Sequence, residues 1–293
     1  MTEHVPVAEQ PLAPPSASNG LLGVFGRRYL LRLLVRREIS ARYQGSFLGL
    51  LWSYINPLSQ FFIFWFVMGK IIGMGDKAEN YPVHVFAGLI IVHFFVETFN
   101  AGTRSIVRNK ALVKKMAMPR EMFPVASMLV SLFHVGPQLV ILLVACLATG
   151  WAPDPVGMVA GLLALGIVMF LGTSLALLFS TANVFFRDFS SAVSIMTNFV
   201  RFGVPMIYPY TLVADRFAGH TELYLANPIA DAVLLMQRAF WTGTTDDPAA
   251  TALVHLPDHL LSRGAIALGA SVVMLVIAQL VFSRLENKIP ERL

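Results

Sequence analysis

Apolar residues run along this 293-residue chain in long stretches separated by short charged ones. Between Arg42 and Lys70 lie 27 residues without a charge, enough at 1.5 Å per residue to cross the hydrocarbon of a bilayer. Similar runs predict spans at about 82–103, where Glu97 is the one charge, and within 122–153 and 155–186. Two more are predicted at about 189–208, interrupted by Arg201, Gly203 and Pro205, and at 264–283. These runs have helix length and no strand alternation. The fold class is therefore an all-α membrane protein with six transmembrane helices.

The segments between the spans carry their own patterns. Residues 1–20, with Pro6, Pro11, Pro14 and Pro15, lack a basic start and an apolar core, so they read as a disordered cytoplasmic tail and not as a secretory signal. Over 21–42 the period is helical, with Arg28, Arg32 and Arg36 on one stripe and Leu30, Leu33 and Leu34 opposite. An ordinary basic flank would show the arginines; this much leucine favours an amphipathic helix lying in the membrane interface. The remainder, 43–293, forms the transmembrane domain. Its loop from Arg104 to Arg120 holds Arg108, Lys110, Lys114 and Lys115, with Leu112, Val113 and Met116 among them, which suggests a short helix with an apolar docking edge. Between spans five and six, Asn227–Trp241 is helical and apolar but short and carries Asp231 and Arg238. It is expected to dip into the outer half of the bundle as a re-entrant helix.

Composition agrees with burial in lipid: 56% of residues are hydrophobic and 13% charged. The net charge of +5 would point to nucleic acid on a soluble surface, but here it is sorted by side. Sixteen of the 22 lysines and arginines fall in segments that a six-span topology places inside, predicting cytoplasmic termini. Cys146, the one cysteine, permits no intrachain disulfide and no cysteine-built metal site. The sequence also has no G-x-x-x-x-G-K-[ST] phosphate loop, H-E-x-x-H or D-x-D pair, so no familiar motif for ATP hydrolysis or metal chemistry is present.

Candidate chemistry sits inside the spans. Glu97 is a functional-site candidate by its position, or it pairs with His93 or Arg104 to lock helices together. Arg201 must face water, a cavity or an acid. In the first span Asn56, Ser59 and Gln60 precede Phe62 and Trp65. Amides and aromatic faces together suit sugar rings, although an aromatic run equally suits lipid or core.

The basic helix followed by Arg42-Tyr43, Ser46, Leu48-Gly49, Trp52 and Pro57, the loop to Pro124, Phe185-Phe186-Arg187-Asp188, and Asn227-Pro228 together resemble permeases of ATP-binding-cassette exporters of O-antigen, teichoic acid and related polysaccharides. Within that family the likeness is greatest to actinobacterial exporters of lipid-linked cell-wall galactan. The resemblance implies a homodimer in the bacterial inner membrane, paired with a separate ATPase that holds ATP and Mg, so this chain itself needs no cofactor. The cargo would be a lipid-diphosphate-linked polysaccharide. It also implies roles: Arg28, Arg32 and Arg36 at the lipid diphosphate or ATPase interface, and Arg108, Lys114, Lys115, Pro119 and Arg120 in ATPase coupling. Asn56, Gln60, Phe62, Trp65, Tyr208 and Tyr210 would line the substrate path and outer gate. A permease for drugs or small lipids, or a membrane glycosyltransferase, are the alternatives.

Overall fold

The structure, a computed structural model, describes residues 20–76, 78–116, 118–217 and 219–293. The tail expected over 1–20 lies outside these residues but for Gly20. Among the described residues all regular structure is helical.

The chain opens with α1 (Gly20–Gly26) and α2 (Arg28–Tyr43). Leu31 and Leu34 of α2 are buried against one end of the bundle, with Ile106, Met122, Phe123 and Phe282, whereas Leu33 is exposed. So the leucine stripe expected to face acyl chains is divided, and part of it holds α2 to protein. A 3-10 turn, Gly49–Leu51, leads into α3 (Trp52–Ile63), which carries Pro57 in its interior, and then into wider π-helical turns, Phe64–Ile71. Pro57 cannot donate to the carbonyl four residues back, so the ladder is already interrupted before it widens.

Next come α4 (Tyr81–Arg108) and α5 (Lys110–Lys115), then α6 (Met122–Ala148), α7 (Pro155–Phe185) and α8 (Phe189–Gly203). The central helix is α4, buried along most of its length and packed against α6, α7 and α8. The short helices α9 (Tyr210–Arg216) and α10 (Thr221–Leu225) precede α11 (Pro228–Phe240). After α12 (Pro248–His255), the long α13 (Leu260–Leu285) returns the chain, and α14 (Ile289–Arg292) ends it.

Five helical stretches are long and apolar enough to cross a membrane: Gly49–Ile71, Tyr81–Arg108, Met122–Ala148, Pro155–Phe185 and Leu260–Lys288. The run expected as the fifth span behaves differently. Helix α8 has 15 residues and stops where Val204 turns extended ahead of Pro205, as the proline ring demands of the residue before it. Its hydrogen bonds nevertheless mark its path. Ser194 accepts from Arg104 at 3.1 Å, Thr197 accepts from Asn100 at 3.1 Å, and the carbonyl of Ile207 accepts from Tyr81 at 2.7 Å. Arg104 and Tyr81 are about 35 Å apart along α4. Residues 194–207 therefore track nearly the whole of α4, the last part, past the end of α8, as a tight turn in which the Met206 amide donates to the Val204 carbonyl at 2.8 Å.

Helix α11 is buried on almost every side, against α4, α7 and α13. Asn227 caps it by accepting from the Ile229 amide at 3.0 Å, and a capped start ahead of Pro228 fixes where the helix begins. Its close seat on α7 depends on Gly157, where a Cβ would meet Asp154 Oδ1 at 2.6 Å and the Arg238 carbonyl at 3.2 Å. Gly161, Gly166 and Gly172, read in the sequence as packing positions, do face Ala239, Leu268 and Thr98.

Candidate functional site

The polar side chains of the spans converge in two adjoining cavities. One, of about 250 Å³, is lined by Asn56, Gln60 and Ser53 of α3, Gln138 and His134 of α6, and Arg42, Tyr43, His93 and Glu97 among others. The second, of about 860 Å³, runs along α4 from His93 to Arg108, about 22 Å of helix. Arg37, Arg42, Arg104, Arg108 and Arg201 all line it. Arg42, His93 and Glu97 line both, so these residues stand at the junction.

An ion pair occupies that junction. Arg42, at the end of α2, donates to Glu97 of α4, and its Nη1 lies 2.8 Å from His134 Nδ1. The same His134 nitrogen is 3.2 Å from Glu97 Oε1, and Nε2 is 3.0 Å from the Tyr43 hydroxyl, which bonds in turn to Ser53. A neutral His134 with Nδ1 bare accepts from Arg42 and donates from Nε2 to Tyr43. With both nitrogens protonated, Nδ1 donates to Glu97 instead. Three helices and the α2–α3 corner are thus tied through one carboxylate. Glu97 takes neither partner anticipated for it: the acid pairs with Arg42 and His134, while Arg104 donates to Ser194. His93 lines the cavities beside it.

The amide pocket is open to a ligand in a chemical sense. Gln60 Oε1 and Gln138 Oε1 are buried and have no protein partner, a costly state unless water or a ligand hydroxyl supplies the hydrogen bond. Asn56 and Gln60 thus line one polar pocket with Gln138 and His134. Phe62 and Trp65 do not join them; both rings lie on the outer surface of the first span, edge to face with each other, 54% and 42% exposed. Pairing of alternate faces is invisible in a span that is apolar all round. Tyr208 lies at the other end, where its hydroxyl is 3.2 Å from that of Tyr224. Tyr210 begins α9 there.

Of the basic residues, Arg28, Arg32 and Arg36 are exposed along α2 and line neither cavity. Arg108 pairs with Glu38 of α2 at 2.8 Å. The short helix expected among the loop lysines is α5, with Val113 buried and Lys114, Lys115 and Met116 exposed. Pro119 is buried, and Arg120 donates to the Glu286 carbonyl in the C-terminal segment. The loop's outward surface is thus its lysine end.

A polar, arginine-lined cleft enclosed by apolar helices, with a buried helix that does not span, defines a multi-pass membrane protein organised around an internal path. The ABC-2 type transporter family matches residues 29–240, from α2 through α11, and the chain belongs to that family. It is 28% identical over 217 residues to the O-antigen export system permease protein RfbA of Klebsiella pneumoniae, covering 73% of this chain and 81% of the relative. To the protein of the same name from Myxococcus xanthus it is 29% identical over 214 residues, with the same coverage.

Proposed function

We propose that this chain is the transmembrane subunit of an ATP-driven polysaccharide exporter in the bacterial inner membrane. The observation that carries the reading is the polar cleft with its amide pocket, built entirely from elements that lie within the family match. Relatives named as O-antigen export permeases support the cargo class. The chain acts as a transport subunit and not as a catalyst, and a separate ATPase binds ATP and Mg.

Six crossings with both termini in the cytoplasm fit the path of residues 189–207 beside α4, the turn after α8 completing what that helix is too short to span. Two copies of the chain form the working permease. The exposed apolar faces of α3 and α8, with Leu58, Phe62, Ile195, Phe199 and Phe202, are available for that pairing and for lipid. The cargo is a glycan on a lipid diphosphate, of the cell-wall galactan or O-antigen type. Its sugars pass Asn56 and Gln60, and Tyr208, Tyr210 and α11 form the outer gate. Lys114 and Lys115 receive the push of the ATPase.

The test is co-purification with the ATPase encoded beside it, followed by ATP hydrolysis with and without lipid-linked glycan from the same cells. A stable complex stimulated by that fraction and not by common drugs is expected. Failure of any ATPase to co-purify would overturn the exporter reading. Glycan transfer by the chain alone would replace it with the glycosyltransferase.

A further inference from the structure

Five arginines and two glutamates line the larger cavity, an excess of three positive charges around one open cleft. Glu38 is already held by Arg108 at 2.8 Å and by Asn109 at 3.2 Å, and Glu97 by Arg42. Arg104 has a neutral partner, Ser194, and neither Arg37 nor Arg201 has an acidic partner among the described residues. Arg201 lies level with His93, half-way along α4, where an unpaired guanidinium is costly unless water or an anion meets it. A buried hydroxyl, Ser127 Oγ, lines the same cavity with no protein partner. The cavity is therefore built for an anion rich in oxygen acceptors.

Resting on the reading that the cargo hangs from a lipid diphosphate, we infer that this arginine cleft seats the diphosphate, and that the diphosphate takes Arg42 away from Glu97. Guanidinium forks match phosphate oxygens in pairs, which a cluster converging on one open cavity exploits and the Arg28, Arg32 and Arg36 stripe, lining neither cavity, does not. Arg42 is half exposed in its pair with Glu97, so an incoming anion can reach it. Arg42 also lines the amide pocket, as do Tyr43 and His134, to which it is tied. Withdrawing Arg42 from Glu97 loosens the corner between α2 and α3 and opens that pocket to the first sugar. The ion pair is a latch that only the charged end of the substrate releases.

The probe is farnesyl diphosphate, offered in detergent micelles to the full-length chain in complex with its ATPase. Inorganic pyrophosphate, farnesol and phosphatidylglycerol separate the possible sources of binding. Saturable binding of farnesyl diphosphate is expected, with farnesol and phosphatidylglycerol failing to displace it and pyrophosphate displacing it only weakly. Arg201→Gln and Arg37→Gln each weaken binding by about tenfold or more, as loss of a charge-assisted bond to phosphate requires. The exposed Arg292→Gln in α14 leaves it unchanged. The distinguishing variant is Glu97→Gln: a latch predicts tighter binding, because Arg42 no longer has a carboxylate to leave, whereas Arg42→Gln weakens it.

Equal weakening by Glu97→Gln and Arg42→Gln, with melting temperatures kept, would reduce the pair to a structural clamp and overturn the latch. Should Glu97→Gln fail to fold, Arg201→Gln still decides, since no acid holds that side chain: unchanged affinity overturns the cleft. Pyrophosphate binding as tightly as farnesyl diphosphate would make this a site for soluble anions, against the proposal. Glycan stimulation of wild-type ATPase alongside unaltered binding in the arginine variants sinks the cleft alone; no stimulation sinks the exporter reading.

Discussion

The two ends of the molecule use arginine in different ways. At the end where α11 sits, arginines are matched by acids: Arg238 grips Asp154 through two bonds of 3.0 and 2.8 Å, and Arg263 bonds Glu222 at 2.6 Å. There Trp241 donates to the Glu79 carbonyl at 2.6 Å and Asn80 to the Thr244 carbonyl. At the end where α2 enters, five arginines line a cavity that holds two glutamates. Paired charges tie elements together, whereas a surplus of one sign around a cavity is available to a ligand. The first end is a clasp holding α11, and the second is a site.

If this division is right, damage should separate cleanly into stability at the clasp and function at the cleft. The largest effect on stability is expected from Trp241→Ala. Its indole is 1% exposed and stands edge-on to His84 at 4.6 Å between centroids. Loss of about 3–5 kcal/mol, read as detergent-solubilised thermal unfolding, follows from the cavity left behind. Gly157→Leu should come next, because any side chain there meets Asp154 and the α11 backbone. An overpacking cost of about 1–3 kcal/mol is expected, and an unchanged melting temperature would show that α11 is not seated as described.

Asp154→Asn should cost less, about 0.5–1 kcal/mol, since the carboxylate is 41% exposed. Here pH sharpens the comparison. The Arg238 guanidinium bonded to Asp154 holds its carboxyl below the usual carboxylate range. A depressed folded value means that the stabilisation is complete above the unfolded value of about 3.9 and is lost as pH falls through the folded one. Wild-type protein should therefore lose stability on acidification below about pH 4 more steeply than Asp154→Asn; parallel acid limbs would break the pairing argument. The smallest change in stability, within about 0.5 kcal/mol, belongs to alanine at both Lys114 and Lys115, which are exposed. Their loss should instead abolish the coupling of ATP hydrolysis to glycan, and coupling left intact would remove α5 from the drive.

Much of this was legible because it is local. Charge-free runs located the long helices, the apolar edge among loop lysines located α5, and Asp231 and Arg238 in a short apolar helix marked α11 as non-spanning. Gly203 and Pro205 signalled the break in α8, though not that a turn would finish its course. The latch was illegible because its members are 55, 92 and 37 residues apart in sequence. Helical periodicity relates Glu97 to His93, its neighbour one turn earlier, and cannot see across helices. For the same reason nothing local joined Arg37, Arg42 and Arg104 to Arg201 around one cavity. Asn56 and Gln60 could be placed on the path because an amide in a span needs a partner. Phe62 and Trp65 carried no such requirement, and they face outward.

The most direct measurement is ATP-dependent movement of lipid-linked glycan into inside-out vesicles that contain this chain and its ATPase, read as protection of the glycan from an added glycosidase. Protection should appear with ATP in wild-type vesicles and in Asp154→Asn, and should be lost in Arg37→Gln/Arg201→Gln despite normal assembly of the complex. Full protection in that double variant would contradict a cleft that handles the cargo and leave the two ends of the molecule without different roles.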